Sequence, residues 1–172
     1  MRVAYQFVSD ECEVVRRIAQ LSVRTVIFDV EPVIAAWNSS QQTLDRGIAR
    51  AVGQISAIPG LTAVCFATNS ARRPSALPAT AGVTFVASAR KPLRTGPFLG
   101  LPRPGVVIGD QVLTDGLLAR RLGYSFLHYR PGIAGMPAGT LLLYGLGALL
   151  RPALFGPARQ QPGVSTPGAV RR

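Results

Sequence analysis

The sequence predicts an α/β domain, a parallel sheet with helices on both faces, and three observations predict it. Short apolar runs rich in β-branched residues recur along the chain, each the length of a buried strand. Between several of them lie stretches with apolar residues at helical spacing, the alternation that produces parallel sheets. Polar residues gather just past the apolar runs: Asp29 and Glu31, Thr68 and Asn69, Arg90 and Lys91, Asp110 and Asp115. In open α/β sheets the chemistry collects at the carboxyl ends of the strands. Four of the chain's eight carboxylates stand at those ends, together with Lys91, its only lysine.

Ser9 or Asp10 can cap a first helix running to about Gln20, with Val14, Val15, Ile18 and Leu21 as its apolar face. Residues 23–28 read as a buried strand that stops abruptly at Asp29. A second helix is expected over about Gln41 to Ile55, where Leu44, Ile48, Ala51, Val52 and Ile55 recur at helical spacing. Pro59 and Gly60 break the chain before the next strand, 61–67. Further strands are expected at 82–87 and 105–108, then a helix over about 114–122 and a last strand at 124–129. The domain so defined spans residues 1–139. Residues 140–155 form an apolar segment, too short to span a bilayer, that docks on the core or lies on a membrane surface. Residues 156–172, rich in Pro, Gly, Ser and Arg, read as a disordered basic tail.

Composition limits the partners. A net charge of +11 draws the protein towards anionic surfaces, whether nucleic acid, phospholipid headgroups or phosphorylated metabolites, and does not choose among them. No secretory signal is read at the N-terminus, and Cys12 and Cys65 suggest no disulfide framework, so the expected compartment is the cytoplasm. A peripheral place on the inner face of the membrane is the alternative that the apolar segment raises. Nothing reads as a zinc site, a serine or cysteine triad, or a base-stacking platform, and no nucleic-acid partner is expected. His128 and Trp37 read as packing residues, and Arg72-Arg73 and Arg120-Arg121 as solvated faces or headgroup contacts.

The strand-end residues make sense as one site. A carboxylate held rigidly after a buried strand can attack phosphorus when a cation offsets the charge repulsion. An acid two residues further points the same way, because the strand period is two, and can protonate a leaving oxygen and later activate water. A hydroxyl or amide can hydrogen-bond phosphoryl oxygens, a lysine can neutralise them, and paired aspartates can complete an oxygen-rich metal site.

These residues resemble the motifs of the haloacid-dehalogenase (HAD) superfamily: Asp29-Val30-Glu31-Pro32-Val33, Thr68-Asn69-Ser70, Arg90-Lys91-Pro92, and Gly109-Asp110 through Asp115. The last two, with Arg121-Leu122-Gly123-Tyr124, look like the YqeG subgroup of type IIIA phosphatases, which is similar to phosphatidylglycerophosphate phosphatases. The resemblance covers about Val23 to Pro131 and not the tail. It implies a Rossmann-like HAD sheet and a Mg²⁺-dependent phosphomonoester hydrolase working through an aspartyl-phosphate. Asp29 would be nucleophile and metal ligand, and Glu31 acid/base, its backbone carbonyl reaching the metal. Thr68 and Asn69 would bind the phosphoryl group and Lys91 would stabilise its charge. Asp110 would bind the metal, with Asp115 behind it, through water or by orienting Lys91.

The family has aspartate where this chain has Glu31. The extra methylene moves the carboxylate by about 1 Å, and misplacement on that scale can cost on the order of 10²-fold in rate. Two rivals therefore stand beside the lipid-phosphatase reading. One is a HAD-fold protein that binds metal and phosphate without turnover; the other is a soluble phosphatase of small metabolites. The spacings from Asp29 to Thr68 and from Thr68 to Lys91 leave no room for a cap domain, so an open site is expected.

Overall fold

The computed structural model describes residues 4–130 and 138–155. Six strands form one all-parallel sheet: β1 (Tyr5–Val8), β2 (Thr25–Asp29), β3 (Ala63–Ala67), β4 (Val83–Val86), β5 (Gly105–Gly109) and β6 (Ser125–Tyr129), in the order β1-β6-β5-β2-β3-β4. Four α-helices join them: α1 (Glu11–Leu21), α2 (Gln41–Ile55), α3 (Leu117–Leu122) and α4 (Ala138–Phe155). The arrangement is α/β and Rossmann-like.

The local causes are those the chain advertises. Asp10 caps α1 by accepting the Glu13 N–H at 2.8 Å, while Glu13 reaches back to the Ser9 N–H at 2.9 Å. Ser40 caps α2 by accepting the Thr43 N–H. The alternation along β2 then divides two cores. Val26 and Phe28 join Val14, Ile18, Leu44, Ile48 and Val52 of α1 and α2. Ile27 faces the other way, towards Cys65, Val107, Leu118, Leu122 and Phe126. Each fully buried Ile or Leu contributes about 1.5–3 kcal/mol, which makes the helix–sheet faces the main source of stability.

Two elements depart from expectation. The edge strand β1 was not anticipated; it pairs with β6 over Tyr5↔Phe126 to Val8↔Tyr129. The helix expected from residue 114 begins instead as a wide π-type turn, Val112–Gly116, that leads into α3. There the Gly116 N–H reaches the Gln111 carbonyl at 3.2 Å. Such turns are frequent at functional sites.

Sheet topology positions the site. From β2 the chain moves outward through β3 and β4, then returns to place β5 on the other side of β2. The carboxyl ends of β2 and β5 therefore flank the crevice where the winding reverses, the usual ligand position in such sheets. No inserted domain stands between β2 and β4, since α2 packs into the core and the β3–β4 link is short. The apolar segment forms α4, longer than expected, and one side of it docks on the second core through Leu154 and Phe155. No helix of the described structure is long and apolar enough to cross a membrane. The tail 156–172 and the glycine-rich stretch 131–137 lie outside the described residues.

Candidate active site

Asp29 ends β2 and is 7% exposed. Its Oδ1 accepts from the Lys91 ammonium at 2.6 Å and from the Val30 N–H at 2.9 Å. Its Oδ2 receives no hydrogen bond among the described residues and is left to the cleft that Asp29 lines. One oxygen is thus anchored and the other has no hydrogen-bond partner among the described residues.

Lys91 is the buried cation of the site. Its Nζ donates to Asp29 Oδ1, to Asp115 Oδ1 at 2.7 Å and to the Ala67 carbonyl at 2.8 Å, so all three protons are placed. The turn that presents it is strained, with Ser88 at φ 48° and Arg90 at φ 53°. Three contacts hold that turn. Asn69 Oδ1 accepts the Lys91 N–H at 2.7 Å, Asn69 Nδ2 donates to the Lys91 carbonyl at 3.1 Å, and Arg121 donates to the Pro92 and Leu93 carbonyls. Both faces of the Asn69 amide are therefore committed to the Lys91 backbone. Its side chain thus bonds the lysine backbone and also lines the cleft, where the sequence reading has it hold the phosphoryl group.

Asp110 follows β5 and Asp115 sits in the π-type turn; both are fully buried. One oxygen from each of Asp29, Asp110 and Asp115 lies within 4.8 Å of the others. The glycine before Asp110 has a local reason. A Cβ on Gly109 would overlap the Asp115 carboxylate, which packs directly over that backbone. Gly109→Ala is therefore expected to push Asp115 off Lys91 and to cost about 1–3 kcal/mol, read by urea unfolding.

Three carboxylates lie together in the buried cluster, and its one ammonium pairs with only two of them, Asp29 and Asp115. Neither oxygen of Asp110 has a hydrogen-bond partner among the described residues. Burial first, then the charges of Asp115 and Asp29, push the Asp110 carboxyl well above the ordinary carboxylate range. Burial and Asp115 raise Asp29 as well, against the opposing pull of Lys91. A hard divalent cation fits this all-oxygen set, because it would supply the missing charge and the partner that Asp110 lacks.

The sign of the pH dependence follows. Raised carboxyl pKa values in the fold stabilise the metal-free protein below the ordinary carboxylate range, and that stability is lost as pH rises through the raised values. Metal binding removes the penalty and itself needs deprotonated ligands. Added Mg²⁺ is therefore expected to raise the unfolding temperature more at about pH 8 than at about pH 5. Equal shifts at both, or none, would count against a divalent-cation site at these residues.

Glu31 stands on the other side of Asp29, and its carboxylate is not part of the acidic cluster. Its Oε2 lies 2.7 Å from Thr68 Oγ1, and its Oε1 lies 3.7 Å from Arg72 Nη1. Arg72 is itself held by the β2–α2 loop, donating to the Ser39 carbonyl at 2.7 Å and the Ser40 carbonyl at 2.8 Å. Thr68 also accepts the Ser70 N–H at 3.0 Å. These groups line a cleft of about 430 Å³ with Trp37, Asn38, Gln111 and Thr114.

The structure thus brings Asp29, Glu31, Thr68, Asn69, Lys91, Asp110 and Asp115 to one end of the sheet. Trp37, read from the sequence as a packing aromatic, and Arg72, read as a solvated face or a headgroup contact, both line the cleft. Sequence reasoning missed what His128 does. His128 Nε2 lies 2.8 Å from the Asp110 carbonyl, which can only accept, so that nitrogen carries the proton. Nδ1 then accepts from the Tyr5 hydroxyl at 2.6 Å. Burial holds this imidazole neutral, with its pKa lowered to about 4. Through this bond the edge strand β1 steadies the backbone of Asp110. Comparisons of the chain with protein-family models, with curated proteins and with solved structures find no match.

Proposed function

We propose that this protein is a phosphomonoester hydrolase of the HAD type that works with Mg²⁺ and passes through an aspartyl-phosphate on Asp29. The observation that carries the reading is the asymmetry of Asp29. Its Oδ1 is fixed by Lys91, its Oδ2 is open to the cleft, and Asp110, without a hydrogen-bond partner among the described residues, lies beside it.

In this mechanism Asp29 Oδ2 attacks phosphorus and the bond to the leaving oxygen breaks. Glu31 gives that oxygen its proton. Glu31 then takes a proton from water, whose oxygen attacks the aspartyl-phosphate, so that phosphate leaves and Asp29 is restored. Lys91 offsets the charge on Asp29 and on the transferring group. Thr68 orients Glu31 and offers its hydroxyl to the cleft. Asn69 holds Lys91 in place. Asp29, Asp110 and Asp115 would hold the Mg²⁺, which when bound neutralises phosphoryl charge.

Glu31→Gln keeps a group of the same size beside Thr68 and removes the proton-transfer function. It is expected to lower kcat by about 10²–10⁴-fold with stability little changed. Glu31→Asp is expected to raise turnover or leave it unchanged; a large loss would mean that the Thr68 and Arg72 contacts are built for glutamate. Both are read as phosphate release in Mg²⁺.

The open cleft and the absence of an inserted domain between β2 and β4 favour a substrate whose bulk stays outside, and phosphatidylglycerophosphate is the candidate that the motif resemblance supplies. The non-catalytic reading, a metal- and phosphate-binding protein, draws on one observation: Glu31 is engaged by Thr68 and Arg72. Parallel assays with p-nitrophenyl phosphate and phosphatidylglycerophosphate separate the readings. Release from the small ester alone favours a soluble-metabolite phosphatase, and release from neither favours the non-catalytic protein.

A further inference from the structure

α4 has two unlike sides. Gly147 packs against Val112, Tyr144 faces His128 at 6.0 Å between ring centres, and Phe155 stacks on Tyr5 and Phe126. The large exposed side chains of the helix are leucines. Leu142 and Leu149 are 65% and 77% exposed, and Leu141, Leu143, Leu146 and Leu150 are also open among the described residues. Leu142, Leu146, Leu149 and Leu150 follow the spacing of one helical face. The only charged residue of the helix, Arg151, lies away from that face, over the Phe7 ring.

The charge around α4 is one-sided. From Gly116 to the C-terminus the chain carries seven arginines and no acidic residue. Arg120 donates to the Leu154 carbonyl at the end of α4, and Arg130 is exposed over the same Phe7 ring as Arg151. An exposed apolar helix face within a stretch of chain that carries arginines and no acidic residue suits a surface that is apolar beneath and anionic at its headgroups. The other occupants suit it less. Residues 156–172 contain no apolar side chain larger than valine, and 131–137 add only Ile133 and Met136, too few to cover six leucines. A second copy would bring another protein of net charge +11 against the first.

We propose that the leucine face of α4 seats the protein on an anionic lipid bilayer. The helix lies in the interface plane. Val112, beneath Gly147, follows Gln111 of the cleft wall, so α4 packs beside the cleft. The proposal stands on the surface alone and does not depend on turnover at Asp29.

The test is co-sedimentation of the full chain with vesicles of phosphatidylcholine, alone or with roughly one quarter phosphatidylglycerol. Wild type is compared with the triple variant Leu142→Gln, Leu146→Gln, Leu149→Gln, which leaves net charge unchanged. The variant's fold is checked by its unfolding midpoint and by its Mg²⁺-dependent shift. Wild type is expected to bind the anionic vesicles about tenfold or more tightly than the neutral ones, weakening with salt. The folded variant is expected to lose about tenfold or more of the anionic binding. No binding by wild type, or equal binding by the variant, would overturn the proposal. So would a wild-type dimer in sedimentation equilibrium that the variant dissociates, since a second copy would then cover the face. No substrate is present, so this result and the phosphatase assay can fail separately.

Discussion

Lys91→Met is expected to destabilise the metal-free protein by about 3–5 kcal/mol, the range found when one partner of a buried ion pair is removed. The size of the effect follows from the surroundings. Lys91 is 6% exposed and is the ammonium shared by Asp29 and Asp115, with Asp110 close behind and unpartnered. Without it three carboxylates face one another in a buried space. The deficit is expected to narrow as pH falls, because Asp29 and Asp110, whose pKa values are already raised, take up protons first. It is also expected to narrow with Mg²⁺, which supplies charge to the same carboxylates. Urea unfolding of wild type and variant, with and without Mg²⁺ and at two pH values, checks all three statements. A variant as stable as wild type at neutral pH would mean that the cluster is already neutralised by protons.

Asp29→Asn is expected to lower phosphate release by about 10⁴-fold or more, because a carboxamide cannot replace the attacking carboxylate. The same substitution removes one charge from an over-charged cluster. The metal-free variant is therefore expected to be as stable as wild type, or more so, while its Mg²⁺-dependent rise in unfolding temperature shrinks. This pairing of lost turnover with kept or gained stability separates a reacting group from a structural one. A structural acid would lose both together. Activity and urea unfolding measured on the same preparation decide between them.

Much of this was legible in the chain, and the pattern of what was not has physical reasons. α2 was readable because its apolar residues keep strict helical spacing. β2, β3 and β5 were readable because both of their faces are buried, leaving unbroken apolar runs. β1 was not. Four residues carry too little periodicity, and what makes them a strand is β6, which lies 120 residues away in the chain. The convergence of Asp29, Lys91, Asp110 and Asp115 could be inferred because each follows a strand of a parallel sheet, whose carboxyl ends lie together. The tasks of Asn69, Arg72 and His128 could not. Each is defined by a partner from a distant element: the Lys91 backbone, the Ser39 and Ser40 carbonyls, and the Asp110 carbonyl. Sequence spacing carries no sign of such bonds. The apolar character of α4 was plain, but which of its sides docks depends on where Val112, Tyr5 and Phe126 stand.

The most direct test of the central claim is to quench the protein with acid during turnover of p-nitrophenyl phosphate in Mg²⁺ and to map the peptides by mass. The mechanism predicts one phosphoryl group on the peptide that contains Asp29, absent from Asp29→Asn and lost when the quenched chain is treated with hydroxylamine. Phosphate release that continues in Asp29→Asn, or a phosphoryl group carried elsewhere in the chain, would contradict it.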